Sequence, residues 1–81
     1  MPYIRQTERD LLQPMGYTTP DNAGQLNFVL TMICKQYWEE RGRYQAINDI
    51  LGALEGAKLE FYRRVAAPYE DTKIKENGEV Y

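Results

Sequence analysis

The residues best equipped for chemistry stand between Glu60 and Lys73: Tyr62, Arg63, Arg64, Tyr69, Glu70, Asp71 and Lys73. Arginines beside tyrosines can grip an anion and stack on a planar ring. The same residues also admit a plainer reading. Glu60 and Arg64 are one helical turn apart, which suits a solvated ion pair whose arginine stem covers apolar surface. Glu70 and Asp71 are adjacent, so on a helix they diverge rather than converge on one proton, and a paired-carboxylate acid/base site is not expected. The chain contains no histidine, which removes the commonest general base and metal ligand. Thr18, Thr19 and Thr31 have no base nearby in the sequence to activate them. There is no phosphate-cradling glycine loop and no metal-ligand spacing. These residues point to binding rather than catalysis, with no cofactor.

The element that must position this cluster is the run from Tyr44 to Tyr69. Ile47, Ile50, Leu51, Leu54, Ala57, Phe61 and Val65 recur at steps of three and four, the spacing of one helix face. Asn48, Gly52 and Gly56, continued by Leu59, form a second line of mostly small residues. A glycine inside a helix costs about 1 kcal/mol relative to alanine, so two of them one turn apart suit a close approach by another backbone. That backbone is either the chain's own preceding helix or a second copy. Asn48, Asp49 and Glu55 stand where they would line a pocket beside the glycines, and Asn48 reads equally as a buried, satisfied amide.

Upstream, Met1 to Gln6 is an arm carrying Tyr3 and Arg5. Thr7 reads as the N-cap of a short helix, with Asp10 completing a weak capping box, and Pro14 stops it. The segment from Gln13 to Thr19 reads as a loop. Thr19-Pro20-Asp21 then reads as a second helix start, with Gly24 able to delay it to Gln25. This helix runs to Arg41, with Leu26, Val29, Leu30, Ile33 and Tyr37 as its main stripe and Phe28, Met32 and Trp38 off it. Gly42 suits the residue just past its end. The link Gly42-Arg43 is so short that the two long helices should form an antiparallel hairpin. Pro68 begins a final helix, which Asn77-Gly78 stops.

Eighty-one residues make one domain. A chain of that size buries only about 60–65% of its unfolded surface, so association would add needed stability. The net charge of −2, with acids and bases interspersed, gives no support for DNA or RNA as a partner. Cys34 is the single cysteine, which rules out an internal disulfide and fits a reducing, cytoplasmic setting. No signal-peptide pattern and no membrane-spanning apolar run is present. Seven tyrosines are many for this length, and tyrosine suits places where one end is packed and the other wet.

The stretch KLEFYRRVAAPYEDTKIKENGEVY, Lys58 to Tyr81, resembles the ending of an uncharacterised family of small phage and bacterial proteins. MPYI at the start and QLNFVLT from Gln25 to Thr31 resemble the same family. A second resemblance is to the helical-hairpin phage sponges that sequester cyclic-nucleotide signals of bacterial immunity. Leu54, Ala57, Leu59, Phe61, Arg63, Val65, Ala66 and Pro68 match the end of their long helix. Tyr62 and Arg64 depart from it, as does the chain beyond Pro68. This resemblance implies oligomers that bind cyclic nucleotides without cleaving them, with Arg63 as a ligand contact.

The expectation is therefore an all-α fold: an antiparallel helical hairpin with short N- and C-terminal helices, assembled as a homo-oligomer. Its expected function is non-enzymatic sequestration of a nucleotide-type immune signal at subunit interfaces, in the host cytoplasm if phage-encoded. Arg63 and Arg64 would pair with phosphates and Tyr62 or Tyr69 would stack on a base. Lys73 would add charge, and Tyr3 and Arg5 would close the site from a neighbouring subunit. The rival is a small phage module that inhibits a host enzyme or defence protein through its tyrosines and Trp38.

Overall fold

The structure, a computed structural model, describes residues 4–12 and 19–81. Those residues are helical throughout their regular parts: α1 (Gln6–Leu12), α2 (Ala23–Arg41), α3 (Tyr44–Phe61), a π-helical segment (Tyr62–Ala66) and α4 (Ala67–Asn77). The chain divides into two compact units, one ending at Ile50 and the other Leu51–Tyr81.

In the first unit, α1 starts one residue ahead of Thr7, which lies inside it. The Arg9 N–H bonds to the Arg5 carbonyl at 3.0 Å. Asp10 does not reach back to cap the helix; it accepts from Gln6 Nε2 at 2.7 Å. Helix α2 also begins later than Thr19. Asn22, in extended conformation, accepts from the Gln25 N–H at 2.8 Å. Gln25 Oε1 in turn accepts from the Asp21 N–H at 2.8 Å. Two backbone donors, those of Gln25 and Asp21, are satisfied by these two side chains, and the helix starts there rather than at a threonine cap three residues earlier.

The end of α2 is where its residues place it. Gly42 takes the left-handed conformation, φ 60° and ψ 24°, and its N–H bonds to the Trp38 carbonyl at 2.8 Å. A side chain there would strain the backbone, which is the reason for glycine. Arg43 follows, and its carbonyl accepts from the Ala46 N–H at 2.9 Å as α3 begins. The Tyr37 hydroxyl donates to Asp49 Oδ2 at 3.0 Å, so the end of α2 faces the start of α3 across this corner. Ala46 lies inside it, 2% exposed and the one fully buried residue among those described.

In the second unit, the helix does not break at the proline. Phe61, Ala66 and Ala67 all keep right-handed helical angles. What changes is the hydrogen-bond register: the Ala67 N–H reaches back five residues to the Tyr62 carbonyl. Pro68 has no N–H to donate, and its ring crowds the carbonyl four residues before it. A wider turn just ahead of it accommodates both defects without ending the helix. The C-terminal helix expected from Pro68 is thus present, but it continues α3 rather than following a loop. It stops at Gly78, φ 91°, whose N–H bonds to the Ile74 carbonyl at 2.8 Å.

The apolar stripes find little cover within the chain. Phe61 is 64% exposed, Phe28 63%, and Ile47, Leu51, Leu54 and Val65 are exposed as well. The least exposed positions of α3 besides Ala46 are Ile50, Gly56 and Glu60, of which Ile50 alone belongs to the expected stripe.

Candidate functional site: the tyrosine-arginine cluster at the π segment

The π segment decides which side chains of the cluster meet. Two ordinary helical turns hold about seven residues. A π turn adds about one, so residues eight apart come onto one face. Tyr62 and Glu70 are such a pair, and the Tyr62 hydroxyl donates to Glu70 Oε2 at 3.3 Å. The carboxylate beside it raises the Tyr62 pKa above its ordinary 10.0, by its charge first and the hydrogen bond second, with Asp71 contributing less.

Other members of the cluster are also engaged with acids. Arg64 Nε donates to Glu60 Oε1 at 3.0 Å, the ion pair that the one-turn spacing allowed. Lys73 Nζ donates to Glu76 Oε2 at 3.2 Å and stands 5.5 Å from the centroid of the Tyr69 ring. Tyr69 itself is 63% exposed. Lys73 also lines an open hollow, with Ile74, Asn77 and the tail residues Gly78 to Tyr81. Arg63 differs from the rest: among the described residues it has no hydrogen bond, ion pair or ring contact. Arg5 lies exposed just before α1, in the other unit, and Tyr3 lies outside the described residues.

Two of the expected ligand contacts already have partners within the chain. The Tyr62 hydroxyl is tied to Glu70, and Arg64 holds Glu60. Glu60, Glu70, Asp71 and Glu76 crowd the same stretch as Arg63, Arg64 and Lys73, and the raised Tyr62 pKa reports a negative local field. An anion entering here would gain mainly from Arg63.

A second constellation, at the α2–α3 corner, escaped the sequence reading. Asp49 accepts from Tyr37 and, at 3.0 Å, from Gln45 Nε2. These two bonds, Gln45 first, lower the Asp49 pKa below 3.8. The bond to Asp49 raises the Tyr37 pKa above 10.0. The Arg41 guanidinium stacks on the Tyr37 ring, 3.7 Å from its centroid. Asp49 thus serves the corner rather than a pocket beside Gly52. The Gln45–Asp49 spacing was the available signal, whereas the Tyr37–Asp49 pair spans twelve positions and depends on the hairpin register.

Among the described residues, no group of three His, Cys, Asp or Glu side chains is placed to hold a metal ion. No described helix is long and apolar enough to cross a membrane. No curated protein and no solved structure matches the chain. One family model does match, over residues 1–80, and by that match the chain belongs to the family described as a domain of unknown function, DUF6899.

Proposed function

We propose that this protein is a non-enzymatic binding protein that assembles from copies of itself and sequesters a nucleotide-type signal where the subunits meet. The observation that carries the reading is Arg63, a guanidinium without a partner among the described residues, on a helix whose neighbouring cations are already held by acids. A phosphate would take Arg63 through paired N–H donors. A base would stack on the exposed Tyr69 ring, on the face opposite Lys73. The resemblance of the α3 ending to the phage sponges supports a cyclic nucleotide and a role in phage counter-defence. The exposed large hydrophobic side chains of α2 and α3, among them Leu26, Phe28, Leu51 and Phe61, support assembly, because grouped exposed apolar side chains mark interaction faces.

Exposed Phe28 and Trp38 on α2 favour a second reading, a module that docks on a host protein. Calorimetry against a panel of cyclic nucleotides separates the two. Uptake at micromolar concentration that is lost in Arg63→Ala, with assembly intact, is the expected result. No uptake of any member, together with a co-purifying host protein, would overturn the sponge in favour of the inhibitor.

A further inference from the structure

The α2–α3 corner does more than set the hairpin. Within the first unit, Arg41, Arg43, Gln45, Ala46 and Asp49 line an open hollow of about 400 Å³. That volume falls in the range of small-molecule sites, about 300–1,000 Å³. Ala46 contributes only a methyl group, so the space between the polar side chains stays open. Those side chains are of two kinds. Arg41 and Arg43 offer donors only, on a permanent positive charge. Arg43 has no hydrogen bond, ion pair or ring contact among the described residues. Arg41 is held by its stack on the Tyr37 ring, 3.7 Å from the centroid, which leaves the edges of its guanidinium for bonding. Glu40 Oε2 stands 3.8 Å from Arg41 Nη1, beyond hydrogen-bond range. Asp49 and Gln45 offer acceptors. The two Asp49 oxygens take one bond each, from Gln45 and Tyr37, and a carboxylate can accept about four. The same bonds, with the charge of Arg41, keep Asp49 ionised. Gln45 bonds Asp49 through Nε2, which leaves its Oε1 as a further acceptor.

We propose that this hollow binds a small zwitterion of the amino-acid class, its carboxylate on Arg43 and Arg41 and its protonated amine on Asp49 and Gln45. A bare anion would gain from the arginines but face the Asp49 carboxylate, and a bare cation would meet the reverse. A molecule carrying both charges matches both sets of groups. Its carboxylate takes paired N–H donors from a guanidinium. Its ammonium, with three donors, takes the acceptor positions that Tyr37 and Gln45 leave on Asp49, together with Gln45 Oε1. The Tyr37–Asp49 bond between the helices and the buried Ala46 hold these groups in place before a ligand arrives, which lowers the ordering cost of binding. The site uses neither Arg63 nor a second copy of the chain, so it stands apart from the proposed nucleotide binding.

The test is titration of the full chain with a panel of free amino acids, followed by calorimetry or NMR. The tightest binder is then compared with its methyl ester and its N-acetyl derivative, each of which lacks one of the two charges. Saturable binding of the free amino acid, at least tenfold weaker for both derivatives, is the expected result. Arg43→Gln should weaken that binding at least tenfold with helicity unchanged, because Arg43 holds nothing else among the described residues. Arg63→Ala should bind as wild type does. The proposal is overturned if no amino acid binds at millimolar concentration, or if Arg43→Gln binds as tightly as wild type. Equal binding of acetate, inorganic phosphate or the N-acetyl derivative would make the hollow a plain anion site and overturn the zwitterion. Loss of binding in Arg63→Ala would move the site away from the corner.

Discussion

The α2–α3 corner and the π-segment cluster use the same residue types for different ends. Each has a tyrosine hydroxyl on a carboxylate and a cation near a tyrosine ring. At the corner, the Tyr37–Asp49 bond joins residues twelve apart, beside the one fully buried side chain among those described. It therefore fixes where two helices sit. In the cluster, the Tyr62–Glu70, Arg64–Glu60 and Lys73–Glu76 bonds join residues within eight positions of one continuous helix. Those bonds run along one helix and do not join two elements. Tyrosine-acid pairs are thus structural or available according to how much chain lies between the partners.

That contrast can be broken by substitution, and the corner should show the largest effect. Ala46→Leu forces four-carbon bulk into the sole fully buried position described, and should destabilise by about 1–3 kcal/mol in thermal or denaturant melts. An unchanged melt would mean that the corner is looser than its burial implies. Next in size, Arg63→Ala should weaken nucleotide uptake at least tenfold in calorimetry while the melt stays at wild-type values. A lowered melt would make Arg63 structural.

Glu70→Gln should sharpen the comparison in the opposite direction. It removes the nearest negative charge and lowers the Tyr62 pKa toward its ordinary value, so anion affinity should rise severalfold. Tyr37→Phe should lower the melting midpoint, though by less than Ala46→Leu, whereas Tyr62→Phe should leave it near wild type.

The pH dependence follows the same division. The Asp49 pKa is depressed in the folded chain, so its contribution is present above 3.8 and is lost as pH falls through the lower folded value. The Tyr37 pKa is raised, so its contribution is present below 10.0 and is lost as pH rises through the higher folded value. Acid melts should therefore separate Asp49→Asn from wild type near neutrality and merge the two at strongly acidic pH. Spectroscopic titration should show Tyr37 and Tyr62 ionising above the ordinary value of 10.0. Ionisation of both at or below that value would contradict both hydrogen bonds.

Much of this was legible where a single residue carries a local constraint. Gly42 and Gly78 end their helices with positive φ, and Tyr44 opens α3 after a two-residue link. The Glu60–Arg64 pair followed from spacing alone. The start of α2 was misplaced because Asn22 caps the Gln25 N–H while the Gln25 side chain takes the Asp21 N–H, and these side-chain bonds outrank the propensity of Thr19. The π segment left no periodic trace, since Tyr62 to Ala66 reads as ordinary helix and the cause lies downstream at Pro68. Tyr62–Glu70 was hidden for the same reason: in ordinary helix residues eight apart are offset by about 80°, and the wider turn closes that offset.

The nucleotide-binding predictions presuppose that copies gather to cover the exposed apolar residues of α2 and α3. Native mass measurement or sedimentation equilibrium on the wild-type chain tests that claim most directly. The expected result is a discrete multiple of 9.5 kDa that persists on dilution to micromolar concentration. A stable, folded 9.5 kDa monomer across the whole range would contradict it.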